Sequence, residues 1–440
     1  MSLVSDLRRR NPLPEGTLAV GVGLAVTGVA AYAFLVISAR QLGPTEYGGL
    51  SVLWALVFLI GGGFFLPLEQ EVSRQLVGRR VAGLGGGPVI RRALLLGCAL
   101  AGALIAVIVV AEPVLSRRLF RGEPLLVLGL ILGIVGYMVA NLVEGVFSGN
   151  GRFGRYGAYL GSEAVLRLAI CLLCVVAGVR TAGPYGLALG LSPLLITVVM
   201  VWGQRDLARP GPEIAWADIS AALGALLVAA VLAQVLINAP PVLVQLLAGP
   251  RHKAEVGVFT AALVVARVPL FLFQAIQAAL LPKLSGLVAA ERYQEFRRGL
   301  RRLVMMVAAL AVVGTLIGFA AGSTIMTAVF GPDFDISNRT VGMLAAGSGA
   351  YVVATALAQA LIALGGLRRV AVGWGIGCLV LLVTVSFGVD PVVRVENAFV
   401  AGTVASIAAM AVELWRQQAS GAVATPGAVI EAMNDLPLEP

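Results

Sequence analysis

Long apolar segments separated by short polar gaps repeat along the whole chain of 440 residues. Each segment is about twenty residues long, which is the length that a helix needs to cross the hydrocarbon core of a bilayer. The segments show no alternation of apolar and polar residues, so they predict helices and exclude a transmembrane β-barrel. Twelve spans are predicted, with boundaries near 17–38, 46–67, 91–111, 124–148, 156–178, 184–203, 219–246, 254–281, 302–321, 340–364, 370–389 and 397–416.

Spans 2 and 8 open with related sequences. Glu46-Tyr-Gly-Gly-Leu-Ser51 recurs as Glu255-Val-Gly-Val-Phe-Thr260, an offset of 209 residues (255 − 46). A Gly-Pro pair precedes each copy, at Gly43 and Gly249, and a basic cluster follows each span. Internal repeats of this kind are typical of transporters whose substrate path lies between the repeats. The sequence therefore predicts an all-α polytopic membrane protein with two six-helix halves around a central cavity.

The predicted organisation has five segments. They are an N-terminal segment (1–16), a first six-helix lobe (17–203), a linker (204–218), a second six-helix lobe (219–416) and a polar tail (417–440). With a cytoplasmic N-terminus, about 21 of the 32 Lys and Arg residues fall on the cytoplasmic side and about nine outside, as the positive-inside rule requires. We therefore expect a multi-pass protein of the bacterial inner membrane with the linker and both termini in the cytoplasm. The loop Gly85-Gly86-Gly87 is expected to be flexible.

Composition narrows the classes of function. Hydrophobic residues make up 59% of the chain and charged residues 12%, which excludes a soluble protein. The excess of basic residues indicates contact with anionic membrane lipids and not with nucleic acid, because no aromatic residues or zinc ligands are interleaved with it. No enzyme activity, catalytic residue or metal site is expected, because His252 is the sole histidine and the pair Cys171 and Cys174 lies in mid-span.

A small group of charges within the spans forms the first candidate site. Glu163 and Arg167 lie four residues apart on one face of span 5, and Glu144 is expected at a similar depth in span 4. Asn141 extends the polar face of span 4. Two interpretations stay open: the group is a structural ion cluster, or it holds a proton and couples ion movement to transport.

Arg267, near the middle of span 8, is the second candidate. A charge at the bilayer centre costs at least about 2.5–3.5 kcal/mol, so it requires a partner or an aqueous cavity. One hypothesis places Arg267 in a cavity, where its guanidinium could bind a diphosphate. The other pairs it with an acid of another helix, namely Glu69 or Glu71, which otherwise are weak candidates expected at a hydrated surface.

Polar residues on spans 7 and 8 could line a cavity that accepts sugars. They are Gln234, Asn238, Gln274 and Gln277. Hydrogen bonding between helices explains each of them equally well.

The turn Gly43-Pro44-Thr45-Glu46-Tyr47-Gly48 resembles the signature of bacterial polysaccharide flippases. Gly257-Val-Phe-Thr-Ala261 and Leu281-Pro282-Lys283-Leu284, at the start and end of span 8, are also similar to elements of these proteins. The resemblance is to the polysaccharide flippase branch of the multidrug/oligosaccharidyl-lipid/polysaccharide (MOP) exporter superfamily. It implies a lumen lined by spans 1, 2, 7 and 8, a lipid-linked glycan as substrate, and polymerase or glycosyltransferase partners. It implies no cofactor other than H⁺ or Na⁺ as a coupling ion.

The chain also departs from these flippases. Spans 1 and 2 place no arginine in the predicted lumen, and span 11 has no carboxylate for a sodium site. The leading hypothesis is a flippase or exporter of lipid-linked oligosaccharide from the cytoplasmic to the outer leaflet. The alternatives are a cation-coupled efflux antiporter for small molecules of the same superfamily, and a non-transporting scaffold of a glycan assembly complex.

Overall fold

The computed structural model describes residues 16–249, 252–268, 286–287, 290 and 292–419. Within these ranges the chain is almost entirely helical and contains no strand. The helices are α1 (Thr17–Ile60), α2 (Leu66–Val81), α3 (Gly87–Val114), α4 (Pro124–Gly149), α5 (Phe153–Val176), α6 (Ala182–Val201), α7 (Trp216–Leu247), α8 (Lys253–Ala266), α9 (Tyr293–Phe330), α10 (Asn338–Ala363), α11 (Leu367–Thr384) and α12 (Pro391–Ala419). The candidates Gln274 and Gln277 lie outside the described residues.

Helix α1 folds back on itself at Gly43. Gly43 has φ 70° and ψ 170°, a conformation that glycine adopts without strain. The rings of Phe34 and Trp54 stack with centroids 5.6 Å apart, although twenty residues of straight helix would separate them by about 30 Å. The two arms of α1, 17–42 and 44–60, are therefore antiparallel and correspond to predicted spans 1 and 2.

The remaining helices follow the predicted spans, so that from α3 onward helix and span share a number. In the described residues, ten helical segments are long and apolar enough to cross a membrane, and the first of them contains both arms of α1. The chain is a multi-pass membrane protein. The second half of predicted span 8 lies beyond Val268, outside the described residues.

Helix packing repeats with an offset of six. Helix α1 packs against α5 as α7 packs against α11, and α4 packs against α6 as α10 packs against α12. The two halves meet mainly where α1 contacts α7 and α8. The predicted arrangement of two six-helix halves is confirmed.

The helix of predicted span 2 is longer than the sequence indicated. A π-helical turn, Gly61–Phe65, continues the second arm of α1 into α2, which ends at Val81 and not near residue 67. Residues 44–81 extend over about 57 Å at 1.5 Å per residue, which exceeds the hydrocarbon core. Arg74, Arg79 and Arg80 are therefore helical and not in a loop, because arginine is a good helix former.

The linker between the halves is docked on the first half. The amide of Gly87 donates to the carbonyl of Arg209 at 2.8 Å. A Cβ at Gly85 would collide with the carbonyl of Pro210. The expectation of a flexible loop at 85–87 is wrong, because these glycines let two backbone segments approach each other closely.

Side chains also hold the linker in place. Arg152 donates to Gln204 at 2.6 Å and forms an ion pair with Asp206. This guanidinium holds the pKa of Asp206 below its usual range, so the carboxylate stays charged at neutral pH. Arg91 and Arg92 contact Glu213 at 2.8 and 3.3 Å. We call this side of the bundle the basic end, and the opposite side, where α1 reverses, the turn end.

Candidate functional site

A cavity of about 50 Å³ lies between the two halves. Both arms of α1 line it, together with α7 and α8. Its lining residues are Ala31, Tyr32, Leu35, Tyr47, Ser51, Trp54, Ala55, Pro241, Thr260, Leu263, Val264 and Arg267. Helices from spans 1, 2, 7 and 8 therefore surround the cavity.

The second arm of α1 and helix α8 face the cavity in the same register. Ser51, Trp54 and Ala55 line it from one side, and Thr260, Leu263 and Val264 line it from the other. Each pair differs by the 209 residues that separate the two sequence copies. In the same register, Arg267 of α8 corresponds to Phe58 of α1 (267 − 58 = 209), which stacks on Trp54 with centroids 4.6 Å apart.

Arg267 is half-buried at the wall of this cavity. Its guanidinium donates to the carbonyl of Ile237 and to Asn238 Oδ1, the latter at 3.3 Å. Within the described residues no carboxylate forms a salt bridge with Arg267, and the hydroxyls of Tyr32 and Tyr351 interact with it electrostatically. The Nε atom is buried and has no hydrogen-bond partner there. Within the described part of the chain, Arg267 is thus held by neutral acceptors and has no acidic partner.

Two further candidates from span 7 join Arg267. Asn238 Nδ2 donates to Gln234 Oε1 at 2.8 Å, which extends the hydrogen-bond chain from Arg267 along α7. A Cβ at Gly62 would lie 2.7 Å from Gln234 Nε2, so the glycines of the π-helical turn allow α7 to pack closely. Gln234 therefore contacts the first half and does not line the cavity described here.

The alternative partners of Arg267 are engaged elsewhere. Glu71 is buried and forms a two-point contact with Arg74 at 2.7 and 2.9 Å. Glu69 is buried as well and accepts a hydrogen bond from Tyr156 at 3.2 Å. The expectation that these two acids sit at a hydrated surface is wrong, because α2 continues past them and packs against α4.

The structure divides the predicted acidic group into two contacts. Arg167 and Glu163 form a buried ion pair at 3.0 Å, and Ser192 donates to the same carboxylate oxygen at 2.8 Å. Glu144 instead lies beside Glu69, close enough for the two carboxyl groups to interact. Asn141 donates to the backbone carbonyl of Tyr137 at 2.8 Å and takes no part in either contact.

The pair of Glu69 and Glu144 has a chemical consequence. An ionised carboxylate only accepts hydrogen bonds, so two carboxyl groups can bond to each other only when one carries a proton. Glu163 lies close enough to both Glu144 and Arg167 to interact with them electrostatically. Glu69 and Glu144 thus form a pair of neighbouring carboxyl groups between α2 and α4, beside the ion pair of Arg167 and Glu163.

Trp54 separates this acidic group from the cavity. The guanidinium carbon of Arg167 lies 5.2 Å from the centroid of the Trp54 ring, within cation–π distance. Trp54 also lines the cavity. The indole ring of Trp54 thus contacts both the guanidinium of Arg167 and the cavity.

The turn end is closed by contacts between the two sequence copies. The backbone of Gly257 packs directly on the carbonyl of Pro44, where a Cβ would not fit. Arg121 donates to the carbonyl of Thr45 in the first half, and to Gln245 Oε1 and the carbonyl of Lys253 in the second, at 2.9 and 2.8 Å. Burial lowers the pKa of this guanidinium. Arg121 is a non-glycine residue with positive φ, at 58°.

Sequence reasoning missed Trp54 and Arg121 and undervalued Glu69. Arg121 stands in a polar gap, where arginines are common. Glu69 stands next to the basic cluster that marks a span end. An aromatic residue within an apolar segment, such as Trp54, gives no signal of its own. Only the offset of 209 residues could have drawn attention to Trp54, because it places this residue opposite Leu263 in span 8.

No family model matches the chain. The chain is 27% identical over 384 residues to an uncharacterized protein of Mycobacterium tuberculosis, an alignment that covers 84% of the chain and 86% of the relative. A second uncharacterized protein of the same organism is 25% identical over 371 residues, covering 82% of the chain and 83% of the relative.

Solved structures resemble this one over nearly the whole chain. An inward-facing multidrug resistance MATE family transporter of the MOP superfamily has a TM-score of 0.65 at 12% identity, over 96% of the chain and 99% of that structure. An outward-facing structure of such a transporter has a TM-score of 0.62 at 12% identity, over 92% and 94%. A MATE transporter of Vibrio cholerae has a TM-score of 0.60 at 13% identity, over 92% and 99%. The chain therefore has the fold of the MATE transporters of the MOP superfamily.

Proposed function

We propose that this protein is an alternating-access transporter that moves an anionic lipid-linked oligosaccharide from the cytoplasmic to the outer leaflet of the bacterial inner membrane. The observation that carries the proposal is Arg267, a cationic side chain at the wall of the cavity between the halves, held there by neutral oxygen atoms. A buried charge without a counterion is costly, so its retention at a cavity indicates an anionic ligand. Guanidinium geometry suits the oxygens of a phosphate or diphosphate.

The size of the cavity supports a cycle of opening and closing. At about 50 Å³ it holds a few water molecules, whereas pockets for small molecules measure about 300–1,000 Å³. Contacts between Pro44 and Gly257 close it at the turn end. We propose that a substrate enters when the halves separate at the basic end, which the positive-inside rule assigns to the cytoplasm. Polymerase or glycosyltransferase partners would act before and after this step.

Coupling to a cation is part of the proposal. The carboxyl pair of Glu69 and Glu144 offers a place for a proton, and a change in its charge would act on Arg167 through Glu163. Trp54 lies between Arg167 and the cavity wall. A rotation of Trp54 could therefore transmit the protonation state to the cavity. H⁺ is the favoured coupling ion, and Na⁺ is the alternative.

The decisive experiment measures translocation in proteoliposomes with a fluorescent, diphosphate-linked disaccharide lipid as the probe. We expect Arg267→Gln to lower the rate at least about tenfold, the effect of losing a charge-assisted contact worth about 1.5–3 kcal/mol. Arg267→Lys should retain part of the rate, because it keeps the charge and loses the two-point geometry. Gln359→Ala, on α10 and outside the cavity lining, is the control. Full activity of Arg267→Gln would overturn the assignment.

A second candidate is cation-coupled efflux of a small molecule. The observation in its favour is the lining of the cavity, where Tyr32, Tyr47 and Trp54 offer aromatic faces to a flat or cationic compound. Relatives in fold are described as multidrug resistance transporters. The same proteoliposomes distinguish the two functions: uptake of ethidium without movement of the lipid-linked disaccharide would favour efflux.

Proton coupling has its own test. Glu144→Gln removes a titratable group and keeps a polar side chain of the same size beside Glu69, so the stimulation of transport by a pH gradient should disappear while the protein stays folded. The control Asn141→Ala alters a neighbouring polar group that makes only a local backbone contact, and it adds no titratable group. Unchanged stimulation in the Glu144 variant would exclude this pair as the coupling site. If a sodium gradient stimulates transport and a pH gradient does not, Na⁺ is the coupling ion.

A further inference from the structure

A second cavity lies at the basic end, away from the site described above. It has a volume of about 410 Å³ and is formed by the end of α2, the loop before α3, the turn between α4 and α5, and the linker. Among the described residues, its charged lining consists of Arg79, Arg80, Arg152, Arg209 and Asp206. Four arginines and one aspartate give this cavity, which we call the basic pocket, a formal charge of +3 (4 − 1).

The arginines of the basic pocket are only partly neutralised by the protein. Arg152 is engaged by Gln204 and Asp206. Arg79 donates to the carbonyl of Pro212, but its Nε atom is buried and lacks a partner among the described residues. The side chains of Arg80 and Arg209 donate no hydrogen bond within the described part of the chain, although the charge of Arg209 acts on Asp206 and Arg80 Nη1 lies against Gly151. Three guanidinium groups therefore have donors left for an anion.

The geometry favours a phosphate group over a diffuse cloud of counterions. Arg80 comes from α2 and Arg209 from the linker, so the two unpaired groups approach the cavity from different elements. Gly85 and Gly86 line the same cavity just before α3 begins, and the start of a helix adds positive potential to that of the arginines. Guanidinium groups bind phosphate oxygens through pairs of parallel hydrogen bonds.

Apolar residues beside the basic pocket indicate where the phosphate comes from. Leu84 lines the pocket and is 44% exposed, and Val81 on the same stretch is 83% exposed. Large exposed aliphatic residues next to arginines at the end of a membrane helix match the boundary between headgroups and acyl chains. A free phosphate would gain nothing from these side chains, whereas a phospholipid would cover them.

We propose that the basic pocket is a specific binding site for the phosphate group of an anionic membrane lipid. The lipid headgroup would bridge Arg80 on α2 and Arg209 on the linker, with its acyl chains against Leu84 and Val81. It would thereby strengthen the docking of the linker on the first half. This site is separate from the transport cavity, so it does not depend on the proposed transport function.

The test uses the purified full-length protein in detergent micelles, titrated with phosphatidylglycerol, phosphatidylcholine or inorganic phosphate. Binding is followed by native mass spectrometry and by the rise in Tm. We expect saturable binding of phosphatidylglycerol to the wild type. The variant Arg80→Ala/Arg209→Ala should weaken it about 25-fold, since each basic residue at an anionic lipid surface contributes about five-fold.

A matched control removes two positive charges from the basic end at a place outside the basic pocket. Arg297 and Arg298 at the start of α9 are exposed and lie outside the basic pocket, so Arg297→Ala/Arg298→Ala should leave the affinity unchanged within about twofold. Equal weakening by both double variants would overturn the site, because the binding would then follow total charge. Equal stabilisation by inorganic phosphate would overturn the lipid as the source. The variant Arg80→Lys/Arg209→Lys keeps both charges, so it should bind phosphatidylglycerol with intermediate affinity. This binding would show that changes at the two positions do not unfold the protein.

Discussion

The second arm of α1 and helix α8 are two copies of one element, and they differ where they meet the cavity. Each presents a hydroxyl, then two apolar residues, in the same register: Ser51 with Trp54 and Ala55, and Thr260 with Leu263 and Val264. One turn further on, the first copy carries Phe58 and the second carries Arg267. The repeat therefore preserves the framework of the cavity and places its charge on one side only.

The surroundings of Arg167 and Arg267 also differ between the two halves. Arg167, in the first half, pairs with Glu163 and is 1% exposed. Arg267, in the second half, has neutral acceptors and borders the cavity. A paired charge stabilises its neighbours and is costly to break, whereas an unpaired charge at a cavity costs stability and is free to bind an anion. The predictions below separate these two roles.

The largest effect is expected from Arg167→Leu. This change leaves Glu163 buried without its counterion, which typically costs about 3–5 kcal/mol. Thermal unfolding in detergent should show a large fall in Tm or loss of folded protein. The double variant Arg167→Leu/Glu163→Leu should recover most of the loss, because it removes both charges. Arg155→Ala, an exposed arginine on the same helix, should change stability by less than about 0.5 kcal/mol.

The second prediction compares the glycines that are equivalent in the two copies. Gly257→Ala places a methyl group against the Pro44 backbone, which cannot move aside, and should cost about 1–3 kcal/mol or more. Gly48→Ala meets the end of the Arg121 side chain at 2.5 Å, which can rotate away, so its cost should be smaller. Gly28→Ala, with no atom within 4 Å of the new methyl group, serves as the control. Equal losses of stability in the Gly257→Ala and Gly48→Ala variants would contradict the expected difference between the two copies.

The third prediction concerns closure of the turn end. Arg121→Ala removes bonds to Gln245 and Lys253 that join the halves, so the outward-open state should become more populated. A cysteine at Ser51 in a cysteine-free background should then react several-fold faster with a membrane-impermeant thiol reagent added from the turn end. Arg117→Ala, an exposed neighbour, should leave this rate unchanged. A rate that does not respond to Arg121→Ala would assign closure to the Pro44–Gly257 contact alone.

The smallest effect on stability is expected from Arg267→Phe, which makes α8 match Phe58 of α1. Removing an unpaired charge relieves a desolvation cost, so stability should stay within about 1 kcal/mol of the wild type or increase. Transport of the diphosphate-linked probe should nevertheless be lost. A large fall in Tm would contradict this prediction. It would show that Arg267, like Arg167, stabilises the fold through a buried partner.

Much of the fold could be predicted because its determinants are local. The span boundaries follow from the cost of placing polar groups in hydrocarbon, and the repeat is visible because both copies conserve glycine and hydroxyl positions. The lone position of Arg267 also follows from the sequence, since no acid lies near it in span 8. The length of α2 beyond the membrane could not be predicted in this way. The apolar segment ends at Leu68, whereas residues with good helix propensity continue to Val81.

The candidate site was predictable only in part. Spacing within one helix correctly placed Glu163 and Arg167 together, because residues four apart share a face. Contacts between helices depend on the rotation and depth of each helix, which spacing along the chain does not set. Glu144 accordingly lies beside Glu69 on α2, and Asn141 donates to the backbone carbonyl of Tyr137 on its own helix.

The sequence by itself determined a helical membrane protein with a repeat of six spans and an arginine in the middle of its eighth span, because transfer energy and periodicity act residue by residue. Only the tertiary structure decided that Arg267 faces a cavity, that Trp54 lies between this cavity and the Arg167 ion pair, and that Gly257 rests on Pro44. These are relations between helices, and the free energy that sets them comes from packing and from pairing of buried polar groups across the bundle.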